Sequence, residues 1–318
     1  MLITGATGFI GSALLENLEA DSRFAVFGTS RRRQSPRIGS AQILQVGELG
    51  AETDWECVLG GVDAIVHTAA RVHRMDELPE GDLEKYRETN VAGTIRLANA
   101  ATQSGVRRFV FLSSVKVTGD KTEPGIPFDT NTIPAPADPY GVSKLEAERE
   151  LQRIGSATGM EIVIIRPTLV YGPGVGANFE ALMRWVNRGV PLPLARIRNK
   201  RSMIARENLV SLIVACLQHP DAPDHVFYAA DGEDLSTSDL LRRVGSALGM
   251  RVRLFWLPSV LLRGLAALAG QTNRAQRLLD SLQVDTTPAR QILGWQPVVS
   301  VDEGIQATTA AFSAKMGQ

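Results

Sequence analysis

Cysteine is almost absent: Cys57 and Cys216 are the only two in 318 residues, far apart and each among apolar neighbours. Two isolated thiols cannot build the disulfide framework of a small secreted fold, nor a cysteine-based metal centre, so both are expected as reduced core thiols and no metal is expected. Excess charge of either sign is missing as well. Lys+Arg and Asp+Glu stand at 34 each, and, the short Arg31, Arg32 and Arg33 cluster aside, no Lys or Arg run is long enough to suggest a nucleic-acid face, so no nucleic-acid partner is expected; residues 191–202 form an irregular basic stretch. No charged n-region leads into an apolar stretch at the start, so no signal peptide is expected. Long hydrophobic runs are lacking too. The most apolar late segment, 256–270, is broken by Pro258 and Arg263 and is too short to span a bilayer, so it is expected as a buried or partner-facing helix. What remains is expected to be a soluble cytoplasmic protein, and its 44% apolar content is ample for a sizeable core.

What the chain does have is rhythm. Strands are expected at Leu2–Thr4, Phe24–Thr29, Ile43–Val46, Ala64–His67, Phe109–Ser113 and Ile162–Arg166. Helices are expected over Gly11–Ala20, Thr53–Leu59, Lys85–Ser104 and Val142–Ile154. Strands rich in Val, Ile and Phe without polar alternation belong to a sheet covered on both faces, and the alternation points to an α/β, doubly wound parallel sheet. Only Met1, Leu2 and Ile3 precede the first turn, so the first strand is short or begins upstream. After Arg166 the rhythm breaks up. A helix is expected at Asn208–Gln218, a strand at His225–Tyr228, and a capped helix start at Ser236 with Asp239 three residues on.

The stretch TGATGFIG, residues 4–11, follows a strand and opens a helix, with Gly5, Gly8 and Gly11 spaced three apart. Glycines are needed where a backbone turns tightly, approaches a pyrophosphate and packs closely, and the helix N-terminus offers free N–H groups to phosphate. A dinucleotide site is therefore expected here. The end of the second strand, where an acid commonly grips the adenosine ribose of NAD, instead carries Thr29, Ser30, Arg31 and Arg32. Guanidinium forks suit a 2′-phosphate, which favours NADP(H) over NAD(H).

In DPYGVSKLEAERE, residues 138–150, Asp138 and Pro139 enter a helix, and Tyr140 and Lys144 lie four apart on one face. A free phenol titrates near pH 10, and an adjacent ammonium is expected to lower it toward the working range. Upstream, a strand ends in Ser113 and Ser114, where a hydroxyl can hold a reacting oxygen.

At these residues the chain resembles the extended short-chain dehydrogenase/reductases of the NAD-dependent epimerase/dehydratase family. The likeness runs through Thr4–Gly11, His67-Thr68-Ala69-Ala70, Asn90–Thr94, Tyr140–Lys144, Arg166-Pro167, Val170–Gly174 and Leu293–Pro297. It implies a Rossmann-type domain over 1–167, with 203–230 returning to it, and a smaller interleaved substrate-binding region from 168–202 and 231–318. It also implies Ser114, Tyr140 and Lys144 as the catalytic set, and a cofactor held by Gly5, Thr7, Gly8, Phe9, Ile10, Ala69 and Pro167, with Tyr140 and Lys144. Asn178 is expected to face the substrate and Arg201 to hold its diphosphate. His67 and Asn90 are expected to be structural. The helices at 85–104 and 142–154 match those that pair in a homodimer in this family.

Dehydratases of the family carry an Asp-Glu pair after the catalytic hydroxyl, where this chain has Val115 and Lys116. Its Ser-Ser-Val-Lys-Val-Thr-Gly segment is similar to that of bacterial surface-polysaccharide enzymes acting on UDP-N-acetyl sugars. This resemblance implies a reductase of the C4 keto group of a UDP-4-keto-6-deoxy-N-acetylhexosamine, in O-antigen (lipopolysaccharide) biosynthesis. A UDP-glucose or UDP-N-acetylglucosamine 4-epimerase is the alternative, and a non-catalytic NADP-binding regulator a third. Lys116 is expected either to add charge near the substrate or to be a surface lysine.

Overall fold

The computed structural model describes residues 1–31, 41–72, 83–123 and 125–316. Seven parallel strands form one sheet in the order β3-β2-β1-β4-β5-β6-β9. They are β1 (Leu2–Thr4), β2 (Phe27–Ser30), β3 (Ile43–Gln45), β4 (Ala64–His67), β5 (Arg108–Leu112), β6 (Glu161–Pro167) and β9 (Val226–Ala229). Two further strands, β7 (Leu169–Tyr171) and β8 (Met203–Ala205), pair only with each other.

The apolar runs of the strands reflect helices on both faces. In β5, Phe109 and Phe111 point to one side and Val110 to the other, and β6 repeats this with Ile162 and Ile164 against Val163 and Ile165. One face is covered by α1 (Phe9–Glu19) and α6 (Arg206–Gln218), through Leu14, Leu18, Leu212 and Ile213. The other is covered by α3 (Gly93–Gln103) and α4 (Pro139–Thr158), through Leu97, Ala98, Leu151 and Ile154; the one-turn α2 (Leu83–Tyr86) precedes α3. A third core gathers Tyr171 of β7, Phe179 and Met183 of α5 (Ala177–Asn187), Leu241 and Val244 of α7 (Thr237–Ala247), and Ile305 and Phe312 of α11 (Val301–Met316). The remaining helices are α8 (Ser259–Leu268), α9 (Thr272–Leu279) and α10 (Thr287–Leu293).

Several expectations are corrected. Residues 53–59 make only one 3₁₀ turn, Glu56–Val58, because the Asp54 side chain caps Glu56 and Gly60-Gly61, the latter at φ +71°, ends the element. The strand expected from Phe24 begins at Phe27, since Phe24 still closes a turn onto the carbonyl of Asp21. The helix expected over 85–104 contains a π-helical stretch, Arg87–Ala92. Of the two thiols only Cys216 is in the core, its pKa raised by burial; Cys57 is exposed. The helix cap at Ser236 forms as expected, its hydroxyl accepting the Asp239 N–H at 3.0 Å.

Candidate active site

The glycine turn lies between the ends of β1 and β4. Gly5 has φ +69°, and a Cβ there would stand 2.9 Å from the Ala69 backbone; a Cβ on Gly11 would meet the Gly5 carbonyl oxygen at 2.2 Å. Only glycine permits this approach. Gly8 is the N-cap of α1 and offers no side-chain cap, so the first N–H groups of the helix, from Phe9 and Ile10 onward, point out of a concave turn beside exposed Thr7. The cradle fits the pyrophosphate of a dinucleotide. His67 bridges Thr4 (2.6 Å) and Thr94 (3.0 Å), which places it as a buried strap between β1, β4 and α3. Burial, then the charge of Lys144, pushes its pKa down to about 3, so it stays neutral.

Ser114 follows β5 in extended conformation, and its Oγ accepts the Lys116 N–H at 3.2 Å. Asp138 caps α4 by accepting the Gly141 N–H at 2.7 Å, with Pro139 in the first turn. A Cβ on Gly141 would come within 2.6 Å of the Lys116 carbonyl oxygen, so the mouth of α4 sits directly on the serine turn. Lys116 fastens the two together by ion pairs to Asp120 and, at 3.2 Å, to Asp138. This docking brings the Tyr140 hydroxyl to Ser114, whose hydrogen bonding favours the phenolate. Ser113 turns away: its N–H bonds the Ile165 carbonyl at 2.8 Å and its hydroxyl is buried without a partner.

One turn beyond Tyr140, Lys144 is fully buried with its Nζ 4.0 Å above the centre of the Phe111 ring. Burial, only partly opposed by Glu148, pulls its pKa down to about 7. The Tyr140 phenol moves the opposite way from the sequence-based expectation. It is pushed up to about 12, first by burial and then by the Asp138 carboxylate, with the Ser114 hydrogen bond opposing. The reason is geometric: the ammonium faces Phe111, while Asp138 and the edge-on ring of Tyr86 (centroids 6.3 Å apart) face the phenol.

The other expected residues are spread around this centre. Pro167 ends β6, buried, two residues beyond the carbonyl that binds Ser113. Arg31, just past β2, is exposed and pairs at 3.3 Å with exposed Glu48; Arg32 lies outside the described residues. Asn178 is exposed in the first turn of α5. Arg201 donates to the Asp280 carbonyl at 3.1 Å; burial lowers its pKa, opposed by Asp280 and by Asp120, the partner of Lys116. Asn90 is structural, accepting from the Arg71 N–H (2.8 Å) and donating to Ser143 (3.0 Å).

Sequence reasoning missed two neighbours. Tyr86, from α2, meets Tyr140 across more than fifty residues, and no local pattern announces it. Glu148 makes a two-pronged pair with Arg166 (2.6 and 3.0 Å), both buried, and Arg166 also donates to Tyr228 at 3.1 Å. The spacing 140-144-148 on one helical face was the available clue.

Residues 1–230 match the model of the "NAD dependent epimerase/dehydratase family". A UDP-glucose 4-epimerase of Vibrio cholerae is 43% identical over 313 residues, 98% of this chain and 95% of that protein. An N-acetyl-alpha-D-glucosaminyl-diphospho-ditrans,octacis-undecaprenol 4-epimerase of Escherichia coli O157:H7 is 30% identical over 261 residues, 81% of this chain and 75% of that protein. The crystal structure of UDP-glucuronic acid 4-epimerase from Bacillus cereus in complex with NAD shares the fold, with a TM-score of 0.80 at 22% identity over 99% of this chain and 98% of that one.

Proposed function

The chain belongs to the NAD-dependent epimerase/dehydratase family, and from that premise we propose that it inverts C4 of a UDP-hexose or UDP-N-acetylhexosamine. The observation that carries this reading is the 43% identity, across almost its whole length, to a UDP-glucose 4-epimerase. It supports this alternative better than the 4-keto reduction expected from the Ser-Ser-Val-Lys segment. Dehydration has no support at this site, because Val115 is buried and apolar and Lys116 is committed to two aspartates.

A nicotinamide dinucleotide held at this cradle would supply reversible hydride acceptance at C4, the step that lets the centre be inverted. The residues of the chain do the rest. The first turn of α1 holds the pyrophosphate against the glycine cradle. Tyr140 exchanges the proton of the sugar O4, and Ser114 hydrogen-bonds that oxygen as its charge changes. Lys144, the buried cation over Phe111, would hold a ribose hydroxyl of the dinucleotide and favour the phenolate. Arg201 neutralises the substrate diphosphate and Asn178 contacts the sugar nucleotide, with Pro167 beside the nicotinamide. NAD is the cofactor we favour, since exposed Arg31 is already paired with Glu48 and a surface pair of this kind specifies little. A cytoplasmic homodimer joined through α3 and α4, serving surface-polysaccharide synthesis, completes the reading.

Reduction of a 4-keto sugar is the second reading, favoured by the Ser113-Ser114-Val115-Lys116 segment. Denaturing the purified protein and identifying the nucleotide released, then incubating native protein with UDP-glucose and UDP-N-acetylglucosamine, separates the two. Bound NAD and C4 inversion without added cofactor are expected for the epimerase. An empty site that takes up NADPH, with no inversion of either sugar, would move the assignment to the reductase.

A further inference from the structure

Surface helices ordinarily turn a polar face to water, and α8 does the reverse. No residue of α8 is buried, and its outward side carries Val260, Leu261, Leu265 and Leu268, with Val260 77% and Leu268 88% exposed. Phe255 and Trp256, immediately before it, are exposed as well. Positions 261, 265 and 268 fall on one stripe, so the apolar surface is continuous rather than scattered. No described helix is long and apolar enough to cross a membrane, so a lipid-directed α8 would lie on a bilayer rather than in it.

The segments beside this stripe are rich in basic residues, although Arg263 of α8 itself pairs with Asp280 and Arg242 and Arg243 are also paired. From Ala181 to Arg206 and from Leu240 to Leu279 the sequence holds 14 of its 34 Lys and Arg residues and none of its 34 Asp and Glu residues. These segments meet in space: Leu192 exchanges backbone hydrogen bonds with Arg253 and Phe255 at 2.9 Å, and the Arg196 guanidinium lies 5.8 Å from the centre of the Trp256 ring. Arg196, Arg198, Lys200, Arg251 and Arg253 are exposed and make no ion pair among the described residues.

We propose that α8 and its arginine rim dock this protein onto an anionic lipid bilayer, with the helix in the interfacial plane and the arginines among the headgroups. Leucine and tryptophan on one side with arginine at the border is the chemistry such a surface recognises. A second copy of the chain is a poorer occupant. A two-fold contact through this face would set unpaired arginines against their own symmetry mates.

Vesicle flotation tests the assignment, using phosphatidylcholine alone and phosphatidylcholine mixed equally with phosphatidylglycerol. Wild-type protein is expected to float with the mixed vesicles at low salt, and at least about tenfold less with the neutral ones. Two double variants, Leu261→Glu/Leu265→Glu and Arg251→Glu/Arg253→Glu, are each expected to stay at the bottom while melting at the wild-type temperature. Their side chains are exposed, so loss of flotation reports docking rather than misfolding. Flotation with neither lipid, or flotation that the arginine variant leaves unchanged, would overturn the proposal. So would a wild-type dimer that Leu261→Glu/Leu265→Glu turns into monomer, since that assigns the face to a second copy.

Discussion

Successive turns of α4 each lie at a buried cation, Lys144 of the helix itself and Arg166 of β6, and the two cations are treated in opposite ways. At the lower turn Lys144 lies over an aromatic ring and makes no ion pair among the described residues, and its pKa falls to about 7. At the next turn Arg166 is gripped by both oxygens of Glu148, and its pKa rises despite burial, which opposes the rise. The first arrangement holds a charge the fold does not satisfy and leaves it for a ligand. The second satisfies its charge within the fold and pins α4 to β6. Along a single helix, then, an unsatisfied buried cation marks the reactive end and a satisfied one the anchor.

Breaking the anchor has the largest expected effect. Glu148→Ala leaves the Arg166 guanidinium buried and unpaired and is expected to cost about 3–5 kcal/mol of stability, read from denaturant unfolding. Tyr140→Phe acts at the other end. It is expected to lower turnover at least ~100-fold while leaving the melting temperature near wild type, and a nearly unchanged rate would remove the phenol from the chemistry. Lys144→Met sharpens the contrast most directly, because it should abolish turnover yet stabilise the fold by roughly 1–3 kcal/mol at neutral pH. Its sign can be checked by pH. With the folded pKa near 7 and the unfolded value at 10.5, the unfolded chain binds the extra proton between them. Wild-type stability should therefore gain from this group as pH rises from 7 toward 10.5, and Lys144→Met should flatten that rise. The same slope in both proteins would show that Lys144 titrates normally.

Much of this was legible beforehand, for physical reasons that also mark where legibility stops. The strands of a doubly covered sheet must be apolar throughout, so β1, β4, β5 and β6 announce themselves to within a residue or two. The glycine turn is equally plain, because a Cβ at Gly5 or Gly11 would strike backbone. The Tyr140–Lys144 pair follows from helical spacing alone. What the spacing cannot carry is the direction of a flexible side chain. Whether Lys144 faces Tyr140 or Phe111 is decided by a ring 33 residues away, and this reversed the expected shift of the phenol. The Glu148–Arg166 pair joins a helix to a strand, and Tyr86 reaches Tyr140 from yet another element, so neither has a local signature. The apolar content of segment 256–270 predicts a buried or partner-facing helix. Only the structure shows its leucines turned outward.

The position of β9 has a consequence for how the chain is made. β6 ends at Pro167 and its outer neighbour β9 begins at Val226, so some 60 residues must be synthesised before that edge is paired. At roughly 5–20 residues per second this is about 3–12 s during which the Ile164–Pro167 edge of a nascent sheet stands open. An unpaired apolar edge invites strands from neighbouring chains, and parallel pairing over such a separation is slow to form. Helix α6, which is translated in that interval and packs on the same side of the sheet, reaches the ribosome exit ahead of β9. The order of synthesis thus delivers a cover for the sheet's face before it delivers the strand that seals its edge.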